Sequence, residues 1–161
     1  MNDWWIDRDC ILACANPTDK ELVDRRAQGF AVMTSLLDEQ QQPPRYNVAD
    51  AERAGWERHS LPIRECEAPS PDQLECFAKI IQAVPPNTKV LVHCSTGLGR
   101  GATLGAAYWI VKGSSATEAI KRLEEASGHQ EWEARARIIA LCEFAGHRNR
   151  EVQRSKKGAM T

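Results

Sequence analysis

"KVLVHCSTGLGRGATLGAAYWIVKG", Lys89 to Gly113, holds a β-branched run, a loop of glycines and hydroxyls around one cysteine, and an apolar small-residue run. In order these predict a strand, a loop and a helix. KVLVH, 89–93, is short and continuously apolar, as a parallel strand covered on both faces would be. ATLGAAYWIVKG, 102–113, is apolar nearly all round, which suits a buried central helix. Between them, His93-Cys94-Ser95-Thr96-Gly97-Leu98-Gly99-Arg100 leaves the carboxyl end of a strand and opens a helix. In that setting backbone N–H groups curl around an anion, and Gly97, Gly99 and Gly101 permit positive φ and close backbone approach. Arg100 adds a planar fork that matches two phosphate oxygens. The same positive field favours a thiolate on Cys94, so one loop can bind an anion and attack it.

Strand and helix alternate through the residues before this loop. CILACA, 10–15, predicts a buried strand; DKELVDRRAQG, 19–29, a helix closed by Gly29; and FAVMTSLLDE, 30–39, a second buried strand. QQQPPRYN, 40–47, reads as a loop, VADAERAG, 48–55, as a short helix, and WERHSLPI, 56–63, as a third strand. RECEAPSP, 64–71, is polar and proline-bearing, so a surface loop is expected. In DQLECFAKIIQAV, 72–84, Leu74, Phe77, Ile80, Ile81 and Val84 recur at helical spacing, and Pro85-Pro86 stops the helix. Beyond the central helix, Ser115 and Glu118 stand in capping-box spacing at the head of SATEAIKRLEEASG, 115–128. EWEARARIIALCEFAGH, 131–147, is a last amphipathic helix, and the basic tail 148–161 lacks an apolar stripe and is expected to fray. The order predicts one α/β domain, 1–147, with a mostly parallel central sheet flanked by helices. Sites in open sheets of this kind lie at the carboxyl ends of strands, where the Cys94 loop begins.

Composition narrows the function. The chain of 161 residues has a formal net charge of -1, so no overall basic field draws in nucleic acid or an anionic membrane. Anion selectivity must be local. No apolar run reaches the roughly 18 residues of a membrane span, and the start lacks a basic, then apolar, leader pattern. A soluble, cytoplasmic protein is the expectation. Cys10, Cys14, Cys66, Cys76, Cys94 and Cys142 are scattered, in a chain long enough to fold without disulfide staples. There is no Cys-x-x-Cys, and His59, His93, His129 and His147 are dispersed, so neither a metal nor another cofactor is expected.

The pattern His93-Cys94-x-x-Gly97-x-Gly99-Arg100 after a hydrophobic strand resembles the cysteine-dependent protein tyrosine phosphatase superfamily, specifically its compact dual-specificity branch. The likeness runs from about Trp5 to Ala145. The segment 4–39 resembles the opening strand, helix and strand of those domains, and APSPDQLECFAKII, 68–81, the segment that follows their acid loop. The resemblance implies a cysteinyl-phosphate intermediate. Cys94 would attack phosphorus in line, while Arg100 and the amides of Ser95, Thr96, Gly97, Leu98 and Gly99 hold the equatorial oxygens. It also implies that His93 supports the cysteine from behind and that the partner is a phosphorylated protein or peptide. Phosphotyrosine comes first, with phosphoserine and phosphothreonine beside it. Lipids, inositol phosphates and RNA triphosphates rank lower, because the loop carries no additional lysine or arginine.

Two departures stand out. Where the family carries Ser or Thr directly after the arginine, this chain has Gly101, leaving Ser95, Thr96 and Thr103 as candidate substitutes. No aspartate occupies the place of the family's general acid, and counting back from Pro69-Ser70-Pro71 puts Glu65 there, with Glu67 and Asp72 behind it. These departures motivate a rival reading, a pseudophosphatase that binds phosphorylated partners without turnover. A rhodanese-like sulfurtransferase is a third, opposed by the flanking helix order and the acid-loop-like segment, and an arsenate reductase a fourth, opposed because related enzymes carry their loop near the N-terminus. Cys66, beside Glu65, is a candidate resolving thiol against the ordinary reading of a buried inert cysteine. Trp4, Trp5, Trp56, Trp109 and Trp132 are expected in core or edge packing, and Arg135 and Arg137 on an exposed helix face, with a place flanking the pocket as the alternative.

Overall fold

A computed structural model of the chain describes residues 3–128 and 135–158. Trp132 and His129 lie outside the described residues. The strands are β1 (Trp4–Asp7), β2 (Ile11–Cys14), β3 (Phe30–Ser35), β4 (Glu57–Ser60) and β5 (Lys89–His93). The helices are α1 (Asp19–Ala27), α2 (Val48–Arg53), α3 (Pro71–Ala83), α4 (Gly99–Val111), α5 (Ala116–Ser127) and α6 (Arg135–Gly158). One sheet runs in the order β1-β2-β5-β3-β4; every pair is parallel except β1 with β2. The expected α/β domain with a mostly parallel sheet is therefore the observed fold.

The three central strands are mostly apolar because each face is covered, with Thr34, Ser35 and His93 as buried polar residues at their carboxyl ends. Along β2, Ile11 and Ala13 enter one core cluster, and Leu12 and Cys14 the other. This is the period of two set by alternating side chains. The first cluster packs beneath α3, α4, α5 and α6; the second takes Leu22 from α1 and Ala51 from α2. The edge strand β4, Glu57–Ser60, carries no apolar residue, and Glu57 and Ser60 at its ends are exposed.

The chain fills β5 between β2 and β3 last, and this register decides where the site lies. His93 pairs with Cys14 on one side and Ser35 on the other, so three parallel strands end together. The loop that follows β5 emerges at that common edge and turns into α4.

β3 and β4 are shorter than the runs 30–39 and 56–63, and two further elements differ from the sequence expectation. β1 was not anticipated as a strand: its four residues are too short for an alternation to register, and it is held by antiparallel pairing with β2. α6 continues past His147 through Gly158. Arg, Glu, Gln and Lys are good helix formers, so an already nucleated helix propagates through them without a buried stripe. Residues 148–156 are exposed but for the half-buried Arg148. Among the described residues no helix is long and apolar enough to cross a membrane.

Candidate active site

The Cys94 loop is fixed from below and from the side. Gly97 has φ +81°, and a Cβ there would stand 2.6 Å from the backbone of Cys14 and Ala15, so only glycine fits. Its carbonyl accepts from the Trp4 indole N–H at 2.9 Å. Trp4 therefore does more than fill the core. The Gly97 N–H points at the Cys94 Sγ, 3.2 Å away, and Cys94 is 1% exposed at the base of the loop.

Above the sulfur, α4 starts without a side-chain cap; Leu98 occupies the N-cap position and makes no capping hydrogen bond. The N–H groups of its first turn have no helical acceptor and open toward the loop. α4 delivers Arg100 in that same turn. The guanidinium is nearly buried, its Nη1 donating to the carbonyls of Leu36 (3.3 Å) and Ile63 (2.8 Å). Its Nη2 donates to Gln42 Oε1 at 2.7 Å and Ser95 Oγ at 2.8 Å.

These contacts continue to Glu65. Gln42 Nε2 donates to Glu65 Oε2 at 2.6 Å, and Ser95 Oγ donates to Glu65 Oε1 at 3.3 Å. Arg100, Gln42, Glu65 and Ser95 thus form a closed ring over the loop. Of the three acidic candidates, Glu65 is brought to the Cys94 loop, whereas Glu67 faces Arg64 at 3.9 Å and Asp72 sits in the first turn of α3. The segment carrying Glu65 is tied down just upstream, where Ile63 N–H donates to Leu36 O and Gln73 Nε2 to Pro62 O.

The hydroxyl candidates are engaged differently. Thr103 Oγ1 donates to Gly99 O at 2.9 Å, a bond within its own helix, so this hydroxyl is turned away from the role. Thr96 Oγ1 accepts from Leu98 N–H at 3.4 Å, and Ser95 belongs to the ring. Gly101 needs no special backbone: the nearest atom to a Cβ there is Ala13 Cβ at 3.6 Å, so a side chain fits.

His93 is fully buried, and its hydrogen bond runs to Tyr46 rather than to Cys94. Its Nε2 lies 3.0 Å from Tyr46 Oη, which accepts from Arg58 Nε at 2.9 Å. Burial, with Arg58 and Arg100 nearby, pushes His93 down to about 3, so the ring is neutral. Tyr46 Oη thus bridges the Arg58 guanidinium and the neutral imidazole. Arg58 is in turn ion-paired with Glu39. None of this chain was visible in the sequence, because its members come from separate elements.

Two other expectations are corrected. Arg137 is buried, not on an open helix face: its Nη1 would stand 2.9 Å from a Cβ on Gly99. Burial holds its proton affinity below the usual range, Cys66 and Cys94 oppose this and Arg100 adds to it. Arg135 is exposed. Cys66 is exposed, with φ +63°, so it is not the buried cysteine of the ordinary reading. All six cysteines are free. Among the described residues, Glu75, His147 and Glu151 have ligand atoms within 4.8 Å of one another and could hold a metal ion. They include no residue of the Cys94 loop, and Glu75 is already paired with Arg148 at 3.3 Å.

Residues 13–114 match the family described as "Polymorphic toxin system, DSP-PTPase phosphatase". The chain belongs to this family. It is accordingly an enzyme of the cysteine-dependent phosphatase superfamily, a hydrolase of the dual-specificity and tyrosine phosphatase type. A comparison with curated proteins finds no match. Among solved structures, Tk-PTP in its active form is 29% identical with a TM-score of 0.78, the match covering 90% of this chain and 97% of that one. PTPMT1 in complex with PI(5)P is 22% identical with a TM-score of 0.76, covering 91% and 96%. Kinase-associated phosphatase, with its catalytic cysteine replaced by serine, is 18% identical with a TM-score of 0.70, covering 90% and 93%. The latter two are likenesses of fold.

Proposed function

We propose that this DSP-PTPase hydrolyses phosphomonoesters through a cysteinyl-phosphate intermediate, acting first on phosphotyrosine in proteins, with phosphoserine and phosphothreonine as further substrates. One observation carries the reading: Cys94, its Sγ facing the Gly97 N–H, and the buried Arg100 lie on one loop that runs into an uncapped helix N-terminus at the joint end of three parallel strands. The Gly97 N–H aimed at the sulfur and the field of α4 stabilise negative charge on the nucleophile. Cys94 attacks phosphorus, and the loop amides with Arg100 take the charge of the three equatorial oxygens. Glu65, at the rim, protonates the departing oxygen and then draws a proton from the water that releases phosphate. His93, neutral and bonded to Tyr46, holds the strand end from which the nucleophile projects.

A second substrate class rests on Arg137. Its guanidinium against Gly99 supplies the additional cation that the loop sequence lacks, which favours substrates bearing a further anionic group, as a phosphoinositide does.

Steady-state hydrolysis of an aryl phosphate tests the reading against binding without turnover. Wild type should exceed Cys94→Ser by about a thousandfold or more, with the variant still binding tungstate. Turnover no greater than that of Cys94→Ser would remove the enzymatic cycle.

A further inference from the structure

Each member of the ring around Arg100 has a part in the proposed chemistry except Gln42. We propose that Gln42 is a positioning residue of this site, its side-chain amide fixing the Glu65 carboxyl relative to the Arg100 guanidinium. This role deepens the reading above and rests on Glu65 being the acid.

A guanidinium only donates, and both oxygens of the Glu65 carboxyl accept here, from Gln42 and from Ser95. A side chain that bridges them must accept at one end and donate at the other. The glutamine amide does both without charge, with Oε1 on Arg100 at 2.7 Å and Nε2 on Glu65 at 2.6 Å, and the two partners fix which way the amide faces. A glutamate at this position would repel Glu65, a lysine would repel Arg100, and an apolar side chain would serve neither.

The backbone beneath Gln42 is built to hold it. The N–H groups of Gln41 and Gln42 both donate to Asp38 O, at 2.9 and 2.7 Å. Pro43 and Pro44 follow with φ fixed by their rings. On the far side Asn16 clamps the loop, donating to Pro43 O at 3.0 Å and accepting from Arg45 N–H at 3.2 Å. Gln42 is the third of three successive glutamines, and of these it is the one turned inward; Gln40 and Gln41 are exposed.

Arg100 ties the two functions together. Nη1 faces Leu36 O and Ile63 O, and Nη2 faces Gln42 and Ser95. To offer a phosphate a two-pronged edge, Nη2 must release one of its partners. If Gln42 Oε1 yields to a phosphate oxygen, Nε2 still retains Glu65 beside the leaving group.

The test compares kcat on phenyl phosphate, a poor leaving group, with kcat on dinitrophenyl phosphate, a good one, in wild type, Gln42→Ala, Glu65→Gln and the double variant. Gln42→Ala should shift the ratio of the two rates about tenfold toward the good leaving group, the scale of one hydrogen bond to a charged group. Glu65→Gln should shift it further, and the double variant no further than Glu65→Gln alone, because both changes act on one proton transfer. Gln42→Met, which keeps the length without the hydrogen bonds, should reproduce the shift of Gln42→Ala. Equal losses on both substrates in the Gln42 variants, or losses that multiply in the double variant, overturn the role while leaving Glu65 as the acid. Equal losses in Glu65→Gln overturn the acid reading, and the role of Gln42 with it.

Discussion

The N-termini of α4 and α5 face the same physical problem and answer it oppositely. At α5, Ser115 Oγ accepts from Glu118 N–H at 3.2 Å, and Glu118 Oε2 accepts from Ser115 N–H at 2.9 Å. The helix supplies its own acceptors. α1 and α3 do likewise with Thr18 and Glu21, and with Ser70 and Gln73. At α4 the cap position holds Leu98, which has no acceptor to give. Its first-turn amides stay available, Arg100 lies in that turn, and Arg137 lies against Gly99. A capped end contributes to stability, while an end left open keeps the same N–H groups for a substrate.

Placing an acceptor on α4 should break this contrast and gives the largest expected effect. Leu98→Asp puts a carboxylate where the phosphate is proposed to bind, so tungstate affinity measured by calorimetry should fall about tenfold or more. Leu98→Asn, of similar shape and uncharged, should lose much less. Equal losses would assign the effect to packing of Leu98 and not to charge.

Acid should separate the two ends next. His93, directly before the loop, is held neutral by burial, with Arg58 and Arg100 adding to the effect, its folded value about 3 against an ordinary 6.5. Between those values the unfolded chain takes up a proton that the folded chain refuses. This contribution to stability is therefore complete above pH 6.5 and declines by about 1.4 kcal/mol per pH unit as pH falls toward 3. The Glu118 carboxyl, held below its usual range by the Ser115 backbone N–H, weakens only below its ordinary 4.5. Urea midpoints measured across this range should show a slope that His93→Gln reduces; an unchanged slope would exclude His93 as its source.

The smallest effect is expected at the capped end. Ser115→Ala should lower stability by about 1 kcal/mol in urea unfolding and leave aryl phosphate turnover at the wild-type level. A loss of turnover would mean that α5 and the site are coupled.

What the sequence disclosed follows the same division. Lys89–His93, the Ser115 and Glu118 cap and the course of α3 are local patterns and appear as expected. The loop residues from His93 to Arg100 are contiguous, so their convergence was legible, and Glu65 was reachable by its place before Pro69. Gln42 was not, because it meets Arg100 across 58 positions and the run around it reads only as a polar loop. Tyr46 and His93, 47 positions apart, were hidden for the same reason. For Arg137 the exposed face came first, because charge on an amphipathic helix argues for exposure, and its alternative place beside the pocket is the observed one; the room it occupies exists because Gly99 has no side chain.

The hydrogen bond from Trp4 to Gly97 spans 93 positions. A peptide cut to Lys89–Val111 would contain every residue of the motif and lack the indole and the β2 backbone that shape it. The cradle is thus a property of the closed sheet, and its chemistry can begin only when the first strand has joined the fifth through the second.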